Sequence, residues 1–508
     1  MEAKRRLCSL IFTTFLLIYA FPVSAIEKDQ VEFQDESIYF LMIDRFNNGN
    51  SMNDKEVIKN DPLAYQGGDF KGVEAKLDYL KEMGFTSIVL TPIFENEKGG
   101  YHGYWITDFY KTNPQFGSIK EFKNLINEAH DRGIKVLVDF PVTHVSSSHP
   151  WVKETEKAGW FTNKNIKVSP KWLGNMAVFN LENNETRQEL INAAKWWINK
   201  TDLDGYYLSN ATDAPIEFWN EFAKEVKAEK EDFFLLGESR KGNLKTVALY
   251  EKSGLDAVTN PQLTIPLRKQ FTAIGKDSSQ TTDLLKNAND TVGNPRLTAN
   301  FFDNYMTERF TRDMVEEKVY PVTRWKLALT YLYTIPGLPL LYYGSEIALD
   351  GSEGVDNHRV MDFRANEELI DRIKKMAELR QELPALKYGT YTPIYENNGM
   401  TIFKREYKKE TLIIAINNTS DTKKVSIPVS ELTKNKELRG LLVGDYIRPQ
   451  DDKFTIILNR EESEIYALAK KTGINFTFIG ILAVINFGFL IFFYVLWKRS
   501  KKKKRNNN

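Results

Sequence analysis

Three stretches of this chain bring together side chains that could do chemistry. The first is Asp44-Arg-Phe-Asn-Asn-Gly-Asn50-Ser-Met-Asn53-Asp54, continued at Gln66-Gly67-Gly68-Asp69. Short oxygen side chains interleaved with turn-permitting glycines suit calcium, a hard ion taking about 6–8 oxygen ligands. The same cluster also reads as an ordinary polar loop. The second is Gly100-Tyr-His102-Gly-Tyr104-Trp105. Its aromatic faces suit the flat apolar face of a bound ring, and an aromatic core cluster is the other reading. The third is Leu203-Asp-Gly-Tyr-Tyr207-Leu-Ser209-Asn210. A serine hydroxyl is not ionised near neutral pH, and no histidine stands beside Ser209 to activate it.

The elements that must position these groups alternate between apolar strands and amphipathic helices. Apolar runs begin at Ser37, Ser87, Val136, Tyr206, Phe233, Asp256, Thr298 and Leu340. Helical patterns over 72–83, 119–132 and 186–199 lie between them. Eight such runs argue for a parallel (β/α)₈ TIM barrel, although continuous apolar runs alone also fit a doubly wound sheet. Beyond Tyr388 the pattern changes to short alternating strands at 401–404, 411–416, 424–427, 454–458 and 463–468, an all-β domain of sandwich type.

At 508 residues and 42% hydrophobic content the chain has room for both units. A net charge of +1 gives no bulk electrostatic case for a nucleic-acid partner. The basic start, the apolar run from Leu7 to Phe21 and the small-residue ending at Ala25 predict a secretory signal over 1–25. The single cysteine, Cys8, falls within it, so a cleaved chain has no disulfide chemistry. A second apolar run at 474–497 predicts a single transmembrane helix, with the Lys/Arg cluster of 498–508 kept cytoplasmic by the positive-inside bias. The expected layout is thus a barrel over 26–386 with a short insert at about 145–183, a β-sandwich over 387–470, and a membrane helix. The bulk of the chain would face outward from the cell membrane.

The motifs resemble those of the alpha-amylase family of glycoside hydrolases, from about Ser37 to Leu386. Tyr101-His-Gly-Tyr-Trp105 matches its Y-H-G-Y-W element, and Ile335-Pro-Gly-Leu-Pro-Leu-Leu-Tyr-Tyr-Gly344 matches its strand-eight motif. By that resemblance His102, Tyr104, Trp105, Asp139, His144, Tyr207 and Tyr305 occupy substrate-binding positions, and Glu238 occupies the acid/base position. One calcium ion is implied, held by Asn48, Asn50, Asn53, Asp54, the Gly67 carbonyl and Asp69. A second calcium is not implied, because Thr143 and Val178 replace its ligands.

Other positions depart from the family. Ser209 stands at the nucleophile position, Tyr207 at that of the neighbouring Arg, and Tyr305 and Met306 at those of the His and Asp carrying the third carboxylate. A retaining glycosidase needs an attacking carboxylate and a carboxylic acid roughly 5–5.5 Å apart. Asp213 and Asp303 lie near these positions, but neither is placed for in-line attack in the family geometry. The resemblance therefore implies a membrane-anchored, amylase-like pseudoenzyme that recognises an α-glucan or another saccharide. Amylase-like barrels without catalysis are known as escort subunits of membrane transporters, so a membrane-protein partner is also implied. The alternative is an active hydrolase or transglycosylase on α-1,4-glucans with an atypical site.

Overall fold

The computed structural model describes residues 33–505, apart from 169, 241, 292–296, 366, 434 and 472–475. Its centre is a closed barrel of eight strands. These are β1 (Ile38–Leu41), β2 (Ser87–Leu90), β3 (Lys135–Asp139), β4 (Gly205–Leu208), β5 (Phe234–Gly237), β6 (Ala257–Thr259), β7 (Thr298–Asn300) and β8 (Leu338–Tyr342). Every neighbour in the ring is parallel and next in sequence, and β8 closes on β1 through Ile38 opposite Leu340. The strands are buried along almost their whole length, because helices cover the outside while side chains fill the inside. That double burial is why they read as continuous apolar runs. The expected barrel is the one observed.

Local signals set the helix ends. Ser118 and Glu121 form a reciprocal capping box at the start of Ile119–Asp131, and Asn183 caps Asn184–Thr201. The expected helix over 72–83 is instead two short ones, Phe70–Glu74 and Leu77–Glu82, separated at Ala75 and Lys76. The first begins at Asp69, whose carboxylate caps it by accepting from the Gly72 amide.

Between β3 and β4 the insert folds as a three-stranded antiparallel sheet of His144–Ser146, Asn175–Phe179 and Phe161–Lys167. After the barrel, a six-stranded antiparallel sheet and a two-stranded one (Lys423–Pro428 with Lys453–Leu458) enclose a second core around Ile402, Ile413, Ile427, Phe454 and Ile456. Polar bonds join this domain to the barrel. Buried Arg324 donates to Asn418 and Glu461, and Asn418 donates to the Gln270 carbonyl at 2.7 Å.

The two ends of the chain depart from expectation or lie beyond description. Residues 1–25, the expected signal, are outside the described residues. Among the described residues no helix is long and apolar enough to cross a membrane, so the expected span at 474–497, part of which lies outside them, is not found there. The last helix is Phe476–Arg505, and its end is basic.

Candidate active site

The C-terminal ends of β3, β4 and β5, with the loop after β7, converge on a single carboxyl. Parallel pairing sets Asp139 opposite Tyr207, and Tyr207 opposite Leu236, so Glu238 follows one step beyond the end of β5. Tyr207 Oη donates to Glu238 Oε1 at 2.9 Å, and Tyr305 Oη donates to Oε2 at 3.1 Å. The Asn210 amide donates to Oε2 at 3.2 Å. Glu238 is 2% exposed. Burial raises its pKa, and these three donors pull it back in part.

A second buried carboxyl sits alongside. Asp139 accepts from Tyr104 Oη at 2.6 Å and from the Ser209 amide at 3.3 Å. Burial pushes it up to about 8, with the Glu238 charge adding to the rise and the Tyr104 bond opposing it.

Aromatic rings fill the space above these groups. Tyr305 is stacked between Phe40, at 5.4 Å and 7° between planes, and Tyr104, at 5.2 Å and 11°. Phe40 also meets Tyr207 edge-on at 5.1 Å. Trp172, from the insert, reaches over this stack and touches His102 and His358, each at 4.9 Å between ring centroids. Tyr104, Tyr207 and Tyr305 are all essentially buried, so the tyrosine faces meet one another and not solvent.

The remaining anticipated residues fall as follows. Ser209 is buried, and its Oγ has no hydrogen-bond partner among the described residues. Met306 is half-buried, with its amide donating to Asn304 Oδ1 at 2.9 Å. Asp303 is engaged by the Phe310 amide at 2.9 Å and by Ser345 Oγ at 3.1 Å, so it serves the loop framework. Asp204 lies at the opposite end of β4, accepting from His130 at 2.7 Å and from the Val136 amide at 2.8 Å. His102 Nδ1 accepts from the Tyr104 amide at 3.0 Å, and Trp105 Nε1 donates to the Leu173 carbonyl at 2.8 Å.

His144 stands apart from the filled centre. Its Nδ1 meets Thr143 Oγ1 at 2.8 Å, while its Nε2 has no partner among the described residues. Burial lowers its pKa to about 4, so the ring is neutral near pH 7. It lines a cavity of about 310 Å³ together with Val178, Phe179, Asn210, Asp213 and Arg240. Arg240 donates to Asn210 Oδ1 at 2.9 Å, fixing the wall of the cavity. This cavity lies beside the aromatic plug, between the insert and the β4–β5 rim. Trp172, Asn210 and Arg240 were not singled out from the sequence. They lie on loops, and no periodic pattern marks what a loop residue will face.

The oxygen-rich loop brings several of its polar side chains together. Asn48 donates to Asp54 at 2.9 and 3.0 Å, and a side chain built on Gly67 would strike both of them. Asp69 accepts from the amides of Gly49 and Asn50, and Asn50 accepts from the Met52 amide. Asn53 Oδ1 is buried without a partner among the described residues. Two carboxylates, amide oxygens and an orphaned acceptor are a donor set that fits a hard cation. Among the described residues no group of three or more His, Cys, Asp or Glu converges on a metal position.

Comparison with known proteins agrees with this architecture. Residues 40–176 and 171–385 match the alpha amylase catalytic domain, and 389–466 match the alpha-amylase C-terminal domain. A cyclomaltodextrinase from Thermoanaerobacter pseudethanolicus is 30% identical over 442 residues, covering 80% of this chain and 74% of that protein. A crystal structure of an Anoxybacillus alpha-amylase superposes with a TM-score of 0.83 at 49% identity, covering 87% of this chain and 99% of the other. The alpha-amylase of Geobacillus thermoleovorans, complexed with acarbose, gives 0.82 at 46% identity, covering 87% of this chain and all of that one. From its barrel through its C-terminal sandwich, the chain belongs to the alpha-amylase family.

Proposed function

We propose that this protein binds an α-glucan in the cavity beside the barrel centre without hydrolysing it by the family's double displacement. The observation that carries this reading is the engagement of Glu238 by Tyr207 and Tyr305. By resemblance to the family's motifs, Ser209, Tyr207, Tyr305 and Met306 take the positions of the nucleophile and its helpers. A general acid must reach a departing oxygen, and here both carboxyl oxygens accept hydrogen bonds and Glu238 is buried beside the aromatic stack. His144 and Arg240 offer an acceptor and donors to sugar hydroxyls, and Phe179 offers an apolar face.

A second reading, hydrolysis of α-glucans through an atypical site, is favoured by the relatives, which include a cyclomaltodextrinase and alpha-amylases. Reducing-sugar release from maltooligosaccharides, with Glu238→Gln as control, separates the two. Turnover that falls by about 10²-fold or more in Glu238→Gln supports hydrolysis. On the binding reading there is no Glu238-dependent turnover, while calorimetry shows heat of binding that weakens in His144→Ala and Arg240→Ala.

We further propose that the oxygen-rich loop holds one calcium ion through Asn48, Asn50, Asn53, Asp54, the Gly67 carbonyl and Asp69. The protein is also proposed to sit at the outer face of a membrane, tethered by its last helix. Support for the tether is the row of exposed apolar side chains on that helix, among them Val484, Phe487, Leu490, Phe493 and Trp497, followed in sequence by Lys and Arg.

A further inference from the structure

Sheet topology gathers four lysines at one end of the C-terminal domain. Lys408 and Lys409 form the two-residue turn between strands Met400–Tyr407 and Glu410–Asn417, where Tyr407 pairs with Glu410. The second of these strands lies beside Glu462–Lys470, which ends at Lys470. Lys470 in turn pairs directly with Lys436 at the start of Lys436–Gly440. With Thr411 and Leu468, these four lysines line an open groove of about 510 Å³. Lys408, Lys409 and Lys470 are exposed, and Lys436 is partly so.

The nearby acids serve other partners. Glu406 pairs with Lys404 at 2.8 Å, Glu410 accepts from the Ala385 amide at 2.5 Å, and buried Glu437 is bound by Arg439 and Arg448. The cluster thus keeps a surplus of positive charge. Like charges facing one another across a sheet are destabilising, so their shared placement has a cost that a counter-charge would relieve.

Position identifies the counter-charge. Lys470 is where the chain leaves the domain toward the apolar helix that begins at Phe476. The intervening residues 471–475 can span at most roughly 18 Å at ~3.5 Å per residue. We infer that this lysine face rests on anionic phospholipid headgroups of the membrane that holds the last helix, fixing the orientation of the barrel above it. The inference rests on the tether proposed above. Lysines at such a surface are attracted within about one Debye length, ~8–10 Å, which the short connection allows.

The test uses the full chain mixed with vesicles of phosphatidylcholine alone, or with about a third phosphatidylglycerol. Flotation is read together with labelling of lysines by a membrane-impermeant amine reagent. The expected result is flotation with both vesicles. Labelling of Lys408, Lys409, Lys436 and Lys470 should fall at least about three-fold only with the anionic lipid, and recover in ~0.5 M salt. Lys245 and Lys286, on barrel helices, act as references and should not change. Flotation with both vesicles but equal labelling overturns the lysine face and leaves the tether standing. Salt-sensitive flotation with anionic vesicles alone supports the face and overturns the tether. Absence of flotation with either overturns both.

Discussion

Tyr305 lies parallel to Tyr104, 5.2 Å between ring centroids, and points its hydroxyl at Glu238. One side chain thereby packs into the aromatic stack and bonds a carboxyl that is itself buried. Stacked pairs of this kind contribute about 0.5–1.5 kcal/mol beyond the area they bury. The tyrosine is therefore both a part of the core and a hydrogen-bond donor to the buried carboxyl.

Replacing it should show both roles. Tyr305→Ala leaves a cavity between Phe40 and Tyr104 and should cost about 3–5 kcal/mol, by comparison with other buried aromatic truncations. Tyr305→Phe keeps the stack and loses one bond to Glu238, for about 1 kcal/mol. Denaturant unfolding of the two variants should rank them in that order. An equal loss would mean that the hydroxyl, not the ring, holds the site together.

The state of Asp139 gives a prediction in pH. Its folded pKa of about 8 lies above the ordinary value of 3.8, so the folded protein binds more protons than the unfolded chain between those two values. The stability owed to the buried neutral acid is complete below pH ~4 and is lost as pH rises through 8. Buried His144, lowered to about 4, acts in the opposite sense below pH 6.5, so the whole-protein profile mixes the two. Asp139→Asn isolates the carboxyl. Its melting temperature relative to wild type should rise between pH 5 and pH 8, and a difference that does not change with pH would contradict the assignment.

Calcium should stabilise the loop around Asp54 and Asp69. At free calcium of about 100 Kd the gain is about 2.7 kcal/mol, and chelation should remove it. The comparison is thermal unfolding with calcium against excess chelator, repeated in Asp54→Ala. A shift in wild type that disappears in the variant is the expected outcome, and a shift retained in the variant places the ion elsewhere.

The joint between barrel and sandwich centres on Arg324, which is fully buried and bound to Asn418 and Glu461. Glu461→Ala removes a partly exposed counter-charge while the Asn418 bond remains, and should cost about 1.5–3 kcal/mol, the range for a hydrogen bond to a charged group. Calorimetry should show a lowered transition, and two separate transitions would mean that the domains no longer unfold together.

The barrel was legible because strands buried on both faces leave unbroken apolar runs such as Ser87–Leu90 and Phe234–Leu236. The C-terminal sheet was less so. Thr390–Asn397 is only partly buried and carries a bulge near Pro393, so neither alternation nor composition marks it as a strand. At the site, Asp139, Tyr207 and Glu238 converge because each stands at or next to a strand end, whereas Tyr104 and Tyr305 come from loops. Trp172 escaped notice because it lies in a short turn of the insert, where only the tertiary fold decides that an indole will lie over Tyr305. Exposure was also hidden: Y-H-G-Y-W names Tyr104 but says nothing of the ring stacked against it.

Trp172 has one more consequence. Its indole rivets the insert to the far rim by lying against His358, which itself bonds Tyr101 at 3.0 Å and meets the Tyr305 carbonyl at 3.0 Å. Lifting the insert would therefore have to break this ring contact and uncover His358 and the Tyr305 stack beneath it, not merely swing a loop into solvent.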